Sequence, residues 1–441
     1  MMPRITCRNF LCTLPVAAFL LLAPAALSVD NWPQFRGADG MGISAEKDFP
    51  AQWSETQNLK WKTALPGPGS SSPIIWGDHV FVTCYSGYGV EANAGDPAQL
   101  KRHLVCIDRK DGRILWQQAV DSVAQEDRYT GYITDHGYAS HTPATDGQGI
   151  YAFFGKTGVV AFDMEGKKLW QTSVGTMSDK RRWGSAASLV LYKNLVIVNA
   201  AAEDRAIYGL DKATGKVVWK APGAQLDLAY GTPVLAAIEG GKQELLLAVP
   251  GEIWGLNPET GKLAWFATSP LTGNVCPCVV VDKDNLYAFG GYPRTGSLAV
   301  KRQGHGDVTQ TNILWSGTTG SYVGTPVLHE GYLYWLDDRG GACCLDAKTG
   351  NLVFRQDLQF RSRGKVCYAG TILANGRLYS TTRTGGTVVW AASPKYTEIA
   401  RNQFASDPSD FNASPALSGG DLFLRSNKFL YCVETLAPPA K

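Results

Sequence analysis

The 441-residue sequence predicts an all-β chain folded as an eight-bladed β-propeller with four antiparallel strands in each blade. Three observations predict this fold. A pattern of short strands recurs about every 40 to 55 residues, an aromatic residue ends most repeats, and several repeats share an Asp-x-x-Thr-Gly turn. Because one such repeat is too small to bury both of its faces, a single closed ring is favoured over two or three separate domains.

Each repeat begins with an opening of three residues: a small residue, then in most repeats a proline, then an aliphatic residue. The first strand follows this opening. The eight openings begin at Ser72, Thr142, Ser188, Thr232, Cys276, Thr325, Gly370 and Ser414. Those at Ser188 and Gly370 lack the proline but keep the distance to the next strand, so we count them as the same element. β-Branched and aromatic residues then form a second strand, as in residues 80–82. The count predicts eight blades.

The third strand carries a small residue between large ones, and the fourth strand ends in a large aromatic residue. The small positions are Cys106, Ala161, Gly209, Gly255, Ala299, Cys344 and Cys432. The aromatic positions are Trp116, Trp170, Trp219, Trp265, Trp315 and Phe354. An aromatic residue repeated once per sheet indicates packing between neighbouring blades, because each blade must cover both of its faces.

The turn after the third strand begins with an acidic residue, as at Asp211, and ends with glycine, as at Gly215. The carboxylate is placed to accept bonds from backbone N–H groups, so we interpret this acid as part of the turn rather than as a catalytic group. The eighth repeat ends near Cys432 without a fourth strand of its own. Residues 59–62, which include Trp61, lie upstream of the first repeat and are predicted to supply that strand and close the ring.

The N-terminus has the pattern of an export signal. Arg4 and Arg8 precede an apolar run over residues 10–27 that ends in small residues. An uncleaved membrane anchor is the alternative, but Pro15 and Pro24 interrupt the run. We therefore predict a periplasmic or secreted protein, with a cleaved signal peptide over 1–28, a lead-in over 29–58, the propeller over 59–436 and a tail over 437–441.

Composition excludes several classes of partner. The net charge of the whole chain is only +3, so no nucleic-acid partner is expected. No apolar stretch after the signal is long enough to cross a bilayer, and one closed ring predicts a monomer.

Eight cysteines follow the signal, an even number that is compatible with disulfides in an exported protein. Because several of them occupy the small-residue positions, we expect mostly free thiols.

The Trp-ended repeats and their turns resemble the pyrroloquinoline-quinone (PQQ) repeat, and the likeness covers residues 58–434. The segment Asn-Trp-Pro-Gln-Phe-Arg-Gly at 31–37 and the segment Gly-His-Gly-Asp-Val-Thr at 304–309 resemble exported propellers of the PQQ-binding-like group. The resemblance implies a propeller with one of two uses. Dehydrogenases of this type hold PQQ and calcium on the axis, whereas BamB-like members use the ring without cofactor as a docking surface.

The sequence favours the docking use. Several of the dehydrogenases have a disulfide between two adjacent cysteines. The adjacent cysteines of this chain, Cys343 and Cys344, lie inside a predicted third strand, away from the axis. The calcium ligands and the catalytic Asp of those enzymes are not found as a set, and nucleophile elbows, phosphate loops and zinc spacings are not present in a convincing context. We therefore predict no catalytic residue and no resident cofactor, with PQQ and calcium as the alternative.

Two long loops, residues 85–101 and 117–140, are expected on one face of the propeller, where function is concentrated. The second loop mixes aromatic, acidic and imidazole groups and supplies the candidates Tyr129, Tyr132, Asp135, His136 and Tyr138. Residues shortly before the first strands are expected at the same mouth, namely His141, Trp183, Tyr230, Asn274, Tyr322, Tyr368 and Asn412.

Two further points complete the predicted site. Arg181 and Arg182 are placed to attract an anion into the mouth, although a solvated rim is the alternative interpretation of the whole set. Asp135, His136 and His141 lack a defined metal-binding spacing, so no metal site is predicted. The predicted function is that of an exported, non-catalytic binding or scaffold protein that presents the 85–141 loop face to a protein or carbohydrate partner. A quinoprotein dehydrogenase is the alternative.

Overall fold

The computed structural model describes residues 31–90, 95–360, 364–384 and 386–435. These residues form eight sheets that follow one another along the chain as the blades of a β-propeller, which confirms the predicted fold class. Within each blade the four main strands are antiparallel neighbours, and the first strand lies nearest the axis.

Blades 1 to 4 contain the following strands, from first to fourth. Blade 1 consists of Ile74–Trp76, His79–Ser86, Lys101–Asp108 and Ile114–Asp121. Blade 2 consists of Ala144–Thr145, Ile150–Phe153, Val159–Phe162 and Lys168–Thr172. Blade 3 consists of Val190–Tyr192, Leu195–Ala200, Ala206–Asp211 and Val217–Pro222. Blade 4 consists of Val234–Ala237, Gln243–Val249, Glu252–Leu256 and Leu263–Thr268.

Blades 5 to 8 follow the same order. Blade 5 consists of Val280–Val281, Asn285–Gly290, Gly296–Lys301 and Ile313–Gly317. Blade 6 consists of Val327–His329, Tyr332–Leu336, Gly341–Asp346 and Leu352–Asp357. Blade 7 consists of Ile372–Ala374, Arg377–Thr381, Thr387–Ala391 and Glu398–Asn402. Blade 8 consists of Ala416–Ser418, Asp421–Arg425, Phe429–Val433 and, from the N-terminal side, Leu59–Ala64.

Helical structure is short and lies between strands. The α-helical turns are Ile133–His136, Ala201–Asp204 and Thr309–Asn312. The 3-10 turns are Pro97–Gln99, Gly155–Thr157, Ala224–Leu226 and Glu239–Gly241. None of the helices in the described ranges has the length and apolar character needed to span a membrane.

A small residue on the third strand faces an aromatic residue on the fourth in seven blades, as the sequence predicts. The pairs are Cys106–Trp116, Ala161–Trp170, Gly209–Trp219, Gly255–Trp265, Ala299–Trp315, Cys344–Phe354 and Cys432–Trp61. A Cβ atom at Gly255 would lie 2.2 Å from the Trp265 ring, so a larger residue there would displace the indole. Blade 7 reverses the sizes, since Val389 faces Ala400 and the neighbouring Trp390 is the fully buried aromatic residue.

The predicted ring closure is confirmed. Leu59–Ala64 pairs antiparallel with Phe429–Val433 and completes blade 8. Trp61 lies opposite Cys432, is 7% exposed, and packs against Phe423 with ring centroids 6.0 Å apart. The first and last parts of the propeller therefore share one sheet.

The opening of blade 5 differs from the prediction. Its first strand begins at Val280, two residues after Cys278, just as the first strand of blade 1 begins two residues after Ser72. The backbone N–H of Cys278 also donates to Thr325 Oγ1 at 3.0 Å, the bond that other opening residues make to the next blade. Assigning Cys276 to this position was wrong because the assignment followed the proline, which lies one residue before the opening in this blade.

Two short parallel strands extend the blades beyond four strands, and the sequence did not predict them. Ile43–Ser44 pairs with the first strand of blade 7, and Gly306–Asp307 pairs with the fourth strand of blade 4. The second lies in the segment between the third and fourth strands of blade 5, so this turn covers the outer edge of its neighbour. The predicted signal peptide and the predicted tail both lie outside the described residues, and the domain bounds remain a prediction.

Candidate functional site

A cavity of about 180 Å³ lies on the propeller axis, where the links between successive blades converge. Nine of the residues predicted from the sequence lie in its wall: Tyr132, Asp135, His136, Trp183, Tyr230, Asn274, Tyr322, Tyr368 and Asn412. Each of the seven links between consecutive blades contributes at least one of them. Ring closure therefore brings together side chains that are separated by up to 280 residues in the sequence.

Hydrogen bonds between opening residues hold the wall of the cavity. The backbone N–H of Ser72 donates to Thr142 Oγ1 at 2.9 Å. The N–H of Thr142 donates to Ser188 Oγ at 3.0 Å, and that of Ser188 to Thr232 Oγ1 at 2.8 Å. A hydroxyl at the opening position thus ties each of these blades to the one before it, which explains why serine and threonine recur there.

The lead-in closes the axis on the face opposite the links. Asn31 Oδ1 accepts a bond from the backbone N–H of Gly77, in the turn between the first and second strands of blade 1, and Phe35 lies in the cavity wall. Arg36 is 1% exposed and donates to the carbonyls of Met41 and Pro326 at 2.8 Å and of Thr371 at 3.0 Å. Burial lowers the pKa of Arg36 to about 10, so its guanidinium is charged at neutral pH.

The buried guanidinium also explains the missing hydroxyl at the seventh opening. A Cβ atom at Gly370 would lie 2.5 Å from Arg36 Nη1, so only glycine leaves room for the arginine there. Gly370 still donates its backbone N–H to Ser414 Oγ at 2.8 Å and keeps the bond to blade 8. The segment at 31–37, singled out by resemblance, therefore acts as a plug of the propeller axis.

The link between blades 1 and 2, residues 122–140, extends over the mouth of the cavity. Its helical turn Ile133–His136 places Asp135 beside blades 7 and 8. The carboxylate of Asp135 accepts the Tyr368 hydroxyl at 3.1 Å and lies 3.3 Å from Arg383, while its backbone carbonyl accepts Asn412 Nδ2 at 2.6 Å. The link therefore spans the mouth as a cover that is latched on the far side.

His136 fastens the same cover to the link between blades 2 and 3. Its Nε2 lies 2.8 Å from the carbonyl of Trp183 and its Nδ1 lies 2.6 Å from Ser140 Oγ. Burial lowers the pKa of His136, so the ring is neutral and Nε2 carries the proton that the carbonyl accepts. We assign His136 a positioning role rather than contact with a metal ion.

Aromatic rings form much of the wall, and cations stack on them. The ring centroids of Tyr132 and Trp183 lie 4.3 Å apart, and the Arg181 guanidinium lies 4.7 Å from the Trp183 ring. Lys365 and Arg383 are stacked in the same way on Tyr322 and Tyr368, at 5.0 and 4.9 Å. Within the described part of the chain, no lysine or arginine lines the cavity itself.

The remaining predicted residues lie outside the wall. Tyr129 and Tyr138 pack with Tyr85 and Tyr88 into an aromatic cluster that joins the two long loops. Arg181 stacks on Trp183 as described, and Arg182 is exposed.

His141 lies in a second, smaller chamber rather than at the mouth. Thr142, which follows it directly, already occupies the axial position, and consecutive residues of an extended chain point to opposite sides. The prediction that His141 faces the mouth therefore misplaced its side chain.

The small chamber of about 30 Å³ shares His136 and Gly184 with the axial cavity. In it Ser185 Oγ donates to Glu203 Oε1 at 2.5 Å and lies 2.9 Å from His141 Nε2. Burial raises the pKa of Glu203 to about 7 and lowers that of His141 to about 3. A serine beside a histidine is the arrangement of an activated nucleophile. A water needs about 10 to 15 Å³, so this chamber of about 30 Å³ has room for water but not for a substrate.

Buried ion pairs fix the covering link from beneath. Arg102 lies 2.7 Å from Glu126, with the two side chains 2% and 7% exposed, and Lys156 lies 3.2 Å from Asp127. These partners, like Phe35 and Glu203, were not predicted to be near the site. The only sequence signal for these ion pairs is the adjacent acids Glu126 and Asp127 in an otherwise aromatic loop. Their cationic partners lie in other segments of the chain.

Two arrangements that the sequence raised as alternatives, a metal site and a disulfide between adjacent cysteines, are not found in the described ranges. No three His, Cys, Asp or Glu side chains there are grouped so as to hold a metal ion. Cys343 and Cys344 lie in the third strand of blade 6, opposite Arg355 and Phe354, and not at the axis. All eight cysteines of the described segments have free thiols.

Comparison with known proteins places this geometry in a family. The family profile described as outer membrane protein assembly factor BamB matches residues 47–186, 103–356 and 307–420. The assembly factor BamB of Yersinia pestis is 24% identical over 283 residues, which are 58% of this chain and 67% of that protein. The quinoprotein alcohol dehydrogenase PedH of Pseudomonas putida is 35% identical over 108 residues, 23% of this chain and 18% of that protein.

Solved structures agree on the fold. BamB from Moraxella catarrhalis superimposes with a TM-score of 0.59 and 14% identity, covering 87% of this chain and 99% of that one. A europium-containing methanol dehydrogenase gives a TM-score of 0.59 and 12% identity, covering 92% of this chain and 90% of that one. At these identities the likeness shows the propeller alone. The profile, by contrast, spans most of the sequence, and the chain belongs to the PQQ-repeat family described as outer membrane protein assembly factor BamB.

Proposed function

We propose that this chain is a non-catalytic binding protein of the cell envelope, which docks a partner protein during outer-membrane protein assembly. The observation that carries the proposal is the surface around the covering link. Residues 122–140 are held from beneath by the ion pairs of Arg102 and Lys156, yet they present apolar and cationic side chains to solvent. A surface that is already ordered loses less conformational freedom when a partner binds.

The docking surface consists of Val90, Val123, Arg128, Met177 and Arg182. Val123 is 63% exposed, Val90 47% and Met177 42%, and both arginines are exposed. The other large apolar residues that are exposed lie on the fourth strands of blades 1 to 7 and on the lead-in strand Ile43–Ser44. Methionine, arginine and apolar residues fixed on loops are typical of protein–protein interfaces.

The parts of this surface lie close together although they come from three segments. Ser178 Oγ, next to Met177, donates to Asp127 at 2.8 Å, and Tyr88 packs against Tyr129 with centroids 6.4 Å apart. The family description and the predicted export signal support a place in the cell envelope. The two exposed arginines favour a partner with acidic residues around an apolar centre.

A quinoprotein dehydrogenase is the second candidate, and the cavity wall does not fit its cofactor. PQQ carries three carboxylates, and its calcium ion needs oxygen ligands from acidic side chains. The described wall contains no lysine or arginine, and its one carboxylate, Asp135, is engaged by Tyr368 and Arg383. The dehydrogenase relatives therefore share the fold, and the donor set in this cavity favours the binding function.

A complementation experiment tests the proposal. In a strain without this chain the amount of folded outer-membrane proteins should fall, and the wild-type gene should restore it. The double variant V123D/R128E, which adds repulsive charge to the docking surface, should fail to restore it at normal expression and melting temperature. The matched control K216E/V218D makes equivalent changes of charge at two exposed positions, one directly before and one within the fourth strand of blade 3, and should restore it.

Two outcomes would contradict the proposal. One is an unchanged amount of outer-membrane proteins in the strain that lacks the chain. The other is full restoration by V123D/R128E.

A further inference from the structure

The axial cavity concentrates polar atoms that lack a hydrogen-bond partner. Ser72 Oγ, Asn274 Oδ1, Asn412 Oδ1 and the Tyr230 hydroxyl all lie in its wall. They are four of the fourteen such buried side-chain atoms in the described part of the chain. Ser72 is 2% exposed and Asn274 is fully buried. Because buried polar groups are nearly always paired, four orphans around one cavity point to a bound molecule that satisfies them.

The orientation of the two amides shows what the bound molecule must offer. Asn412 Nδ2 donates to the carbonyl of Asp135 at 2.6 Å, and Asn274 Nδ2 donates to Cys276 Sγ at 3.5 Å. Their Oδ1 atoms are therefore the free acceptors, and each needs a donor on the ligand. Burial, with a smaller contribution from the carboxylate of Asp179, raises the pKa of Tyr230, so its hydroxyl stays protonated.

The charges around the cavity indicate an uncharged ligand. Asp135 is the one carboxylate in the described wall, and Arg383 and Tyr368 engage it. The imidazole of His136 is neutral, as argued above. Burial of an ionised ligand group here would leave its charge without a partner, which is strongly unfavourable.

The aromatic part of the wall indicates the shape of the ligand. The rings of Trp183 and Tyr230 are nearly parallel, with an interplanar angle of 22° and centroids 6.4 Å apart. Tyr132 packs on Trp183 from the cover, and Phe35 lies at the plug. Flat apolar faces next to isolated acceptors and hydroxyls match a ring with apolar C–H faces and hydroxyl groups at its edge.

We propose that the axial cavity binds one neutral pyranose ring, with the ring faces against the aromatic wall and its hydroxyls on the four unpaired polar atoms. The ring comes either from a free sugar or from the end of a glycan, since both present the same chemistry. This site uses none of the residues of the docking surface. It is therefore a second binding function, beyond the docking of a partner protein.

Calorimetric titration of the purified chain tests the proposal. The panel contains glucose, galactose, mannose and N-acetylglucosamine, each as the methyl glycoside and as a short oligosaccharide, with glucuronic acid as the charged comparison. At least one neutral ring should bind with 1:1 stoichiometry, and the charged ring should bind at least about tenfold more weakly. Binding of the glycoside with exclusion of the oligosaccharide identifies a free sugar, whereas binding of the oligosaccharide, alone or with the same affinity as the glycoside, identifies a glycan end.

Two variants separate ligand contact from a structural role. Tyr230→Phe and Ser72→Ala each remove one unpaired hydroxyl, so they should weaken sugar binding about 2- to 10-fold without lowering the melting temperature. Tyr379→Phe is the matched control, because its buried hydroxyl in blade 7 is also unpaired but lies outside the cavity wall. It should leave sugar binding unchanged.

Three results would overturn the proposal: no neutral ring of the panel binds, glucuronic acid binds as tightly as glucose, or the Tyr230 and Ser72 variants bind like wild type. The docking variant V123D/R128E should bind the sugar normally. Failure of sugar binding and failure of protein docking are therefore seen in different variants.

Discussion

The indole Nε1 of Trp61 donates a hydrogen bond of 2.8 Å to the backbone carbonyl of Arg109. Trp61 lies on the strand that completes blade 8, and Arg109 lies in the turn after the third strand of blade 1. Four other fourth-strand tryptophans make the same bond to the turn of the following blade: Trp116, Trp170, Trp219 and Trp315. The recurring aromatic residue therefore joins blades by a directional bond as well as by packing.

Deletion of residues 59–63 removes both the closing strand and this bond. We expect loss of the cooperative thermal transition in circular dichroism, because blade 8 then lacks its fourth strand and blades 8 and 1 separate. Trp61→Phe, which keeps an aromatic ring but loses the donor, should lower the free energy of unfolding by about 1 to 2 kcal/mol. A deletion variant that melts like wild type would refute the ring closure.

Replacement of the plug arginine should destabilise the axis. Arg36→Met leaves the carbonyls of Met41, Pro326 and Thr371 without their donor inside the protein, and we expect urea unfolding to show a loss of about 3 kcal/mol. Arg128→Met, at an exposed arginine, is the control and should change stability by less than about 0.5 kcal/mol. Equal stability of the two variants would show that the lead-in does not seal the axis.

Glu203 should give the protein a measurable pH dependence. Burial raises its pKa to about 7, above the ordinary value of 4.5, so between these values the folded state binds more protons than the unfolded state. Its contribution to stability is therefore complete below about pH 4.5 and is lost as the pH rises to about 7, a change of about 3 kcal/mol.

Urea unfolding of wild type and Glu203→Gln measures this contribution. The variant should gain stability relative to wild type as the pH rises from 4.5 to 7.5. His141, whose pKa burial lowers to about 3, acts in the opposite direction between about pH 3 and 6.5, but it does so in both proteins and cancels in the difference. A stability difference that is constant with pH would contradict the assignment.

The latch of the cover should respond to removal of one carboxylate. Asp135→Ala breaks the contacts with Tyr368 and Arg383, so amide hydrogen exchange in residues 131–137 should accelerate about tenfold, the equivalent of about 1.4 kcal/mol. Asp410→Ala is the matched control, because it removes the other carboxylate of Arg383, at 2.6 Å, but none from the cover. If both variants exchange alike in this segment, Asp135 is not the latch.

The sequence predicted the fold well because the repeat constrains it eight times. Steric pairing of a small residue with an aromatic one fixes the register, as between Gly255 and Trp265, and leaves a signal in seven of the eight blades. The error at Cys276 arose because blade 5 has no serine or threonine to mark its opening. The position of the proline, a weaker signal, was used instead. His141 was predicted at the mouth from its distance to the first strand alone. Side chains of consecutive residues in an extended chain point to opposite sides, so Thr142 faces the axis and His141 does not.

The site was less predictable because its parts meet only through closure of the ring. Six wall residues could be proposed from their positions before the first strands and three from the composition of the long loop, but nothing local to Phe35 or Arg36 indicates that they reach the axis. The acid Glu203 and the cation Arg102 lie in different blades, and their partners become evident only in three dimensions. The repeat therefore predicts which segments lie at the axis, but it does not predict which charged side chains pair with each other.

Titration of the purified chain with PQQ and calcium tests the central claim, that this propeller binds rather than catalyses, most directly. Absorbance of the quinone and the melting temperature of the protein are followed together. The described wall has no lysine or arginine to pair with the carboxylates of PQQ, and its one carboxylate, Asp135, is engaged by Arg383. We therefore predict that the spectrum of PQQ stays that of the free cofactor and that the melting temperature does not rise. A stoichiometric spectral change with a raised melting temperature would contradict the account.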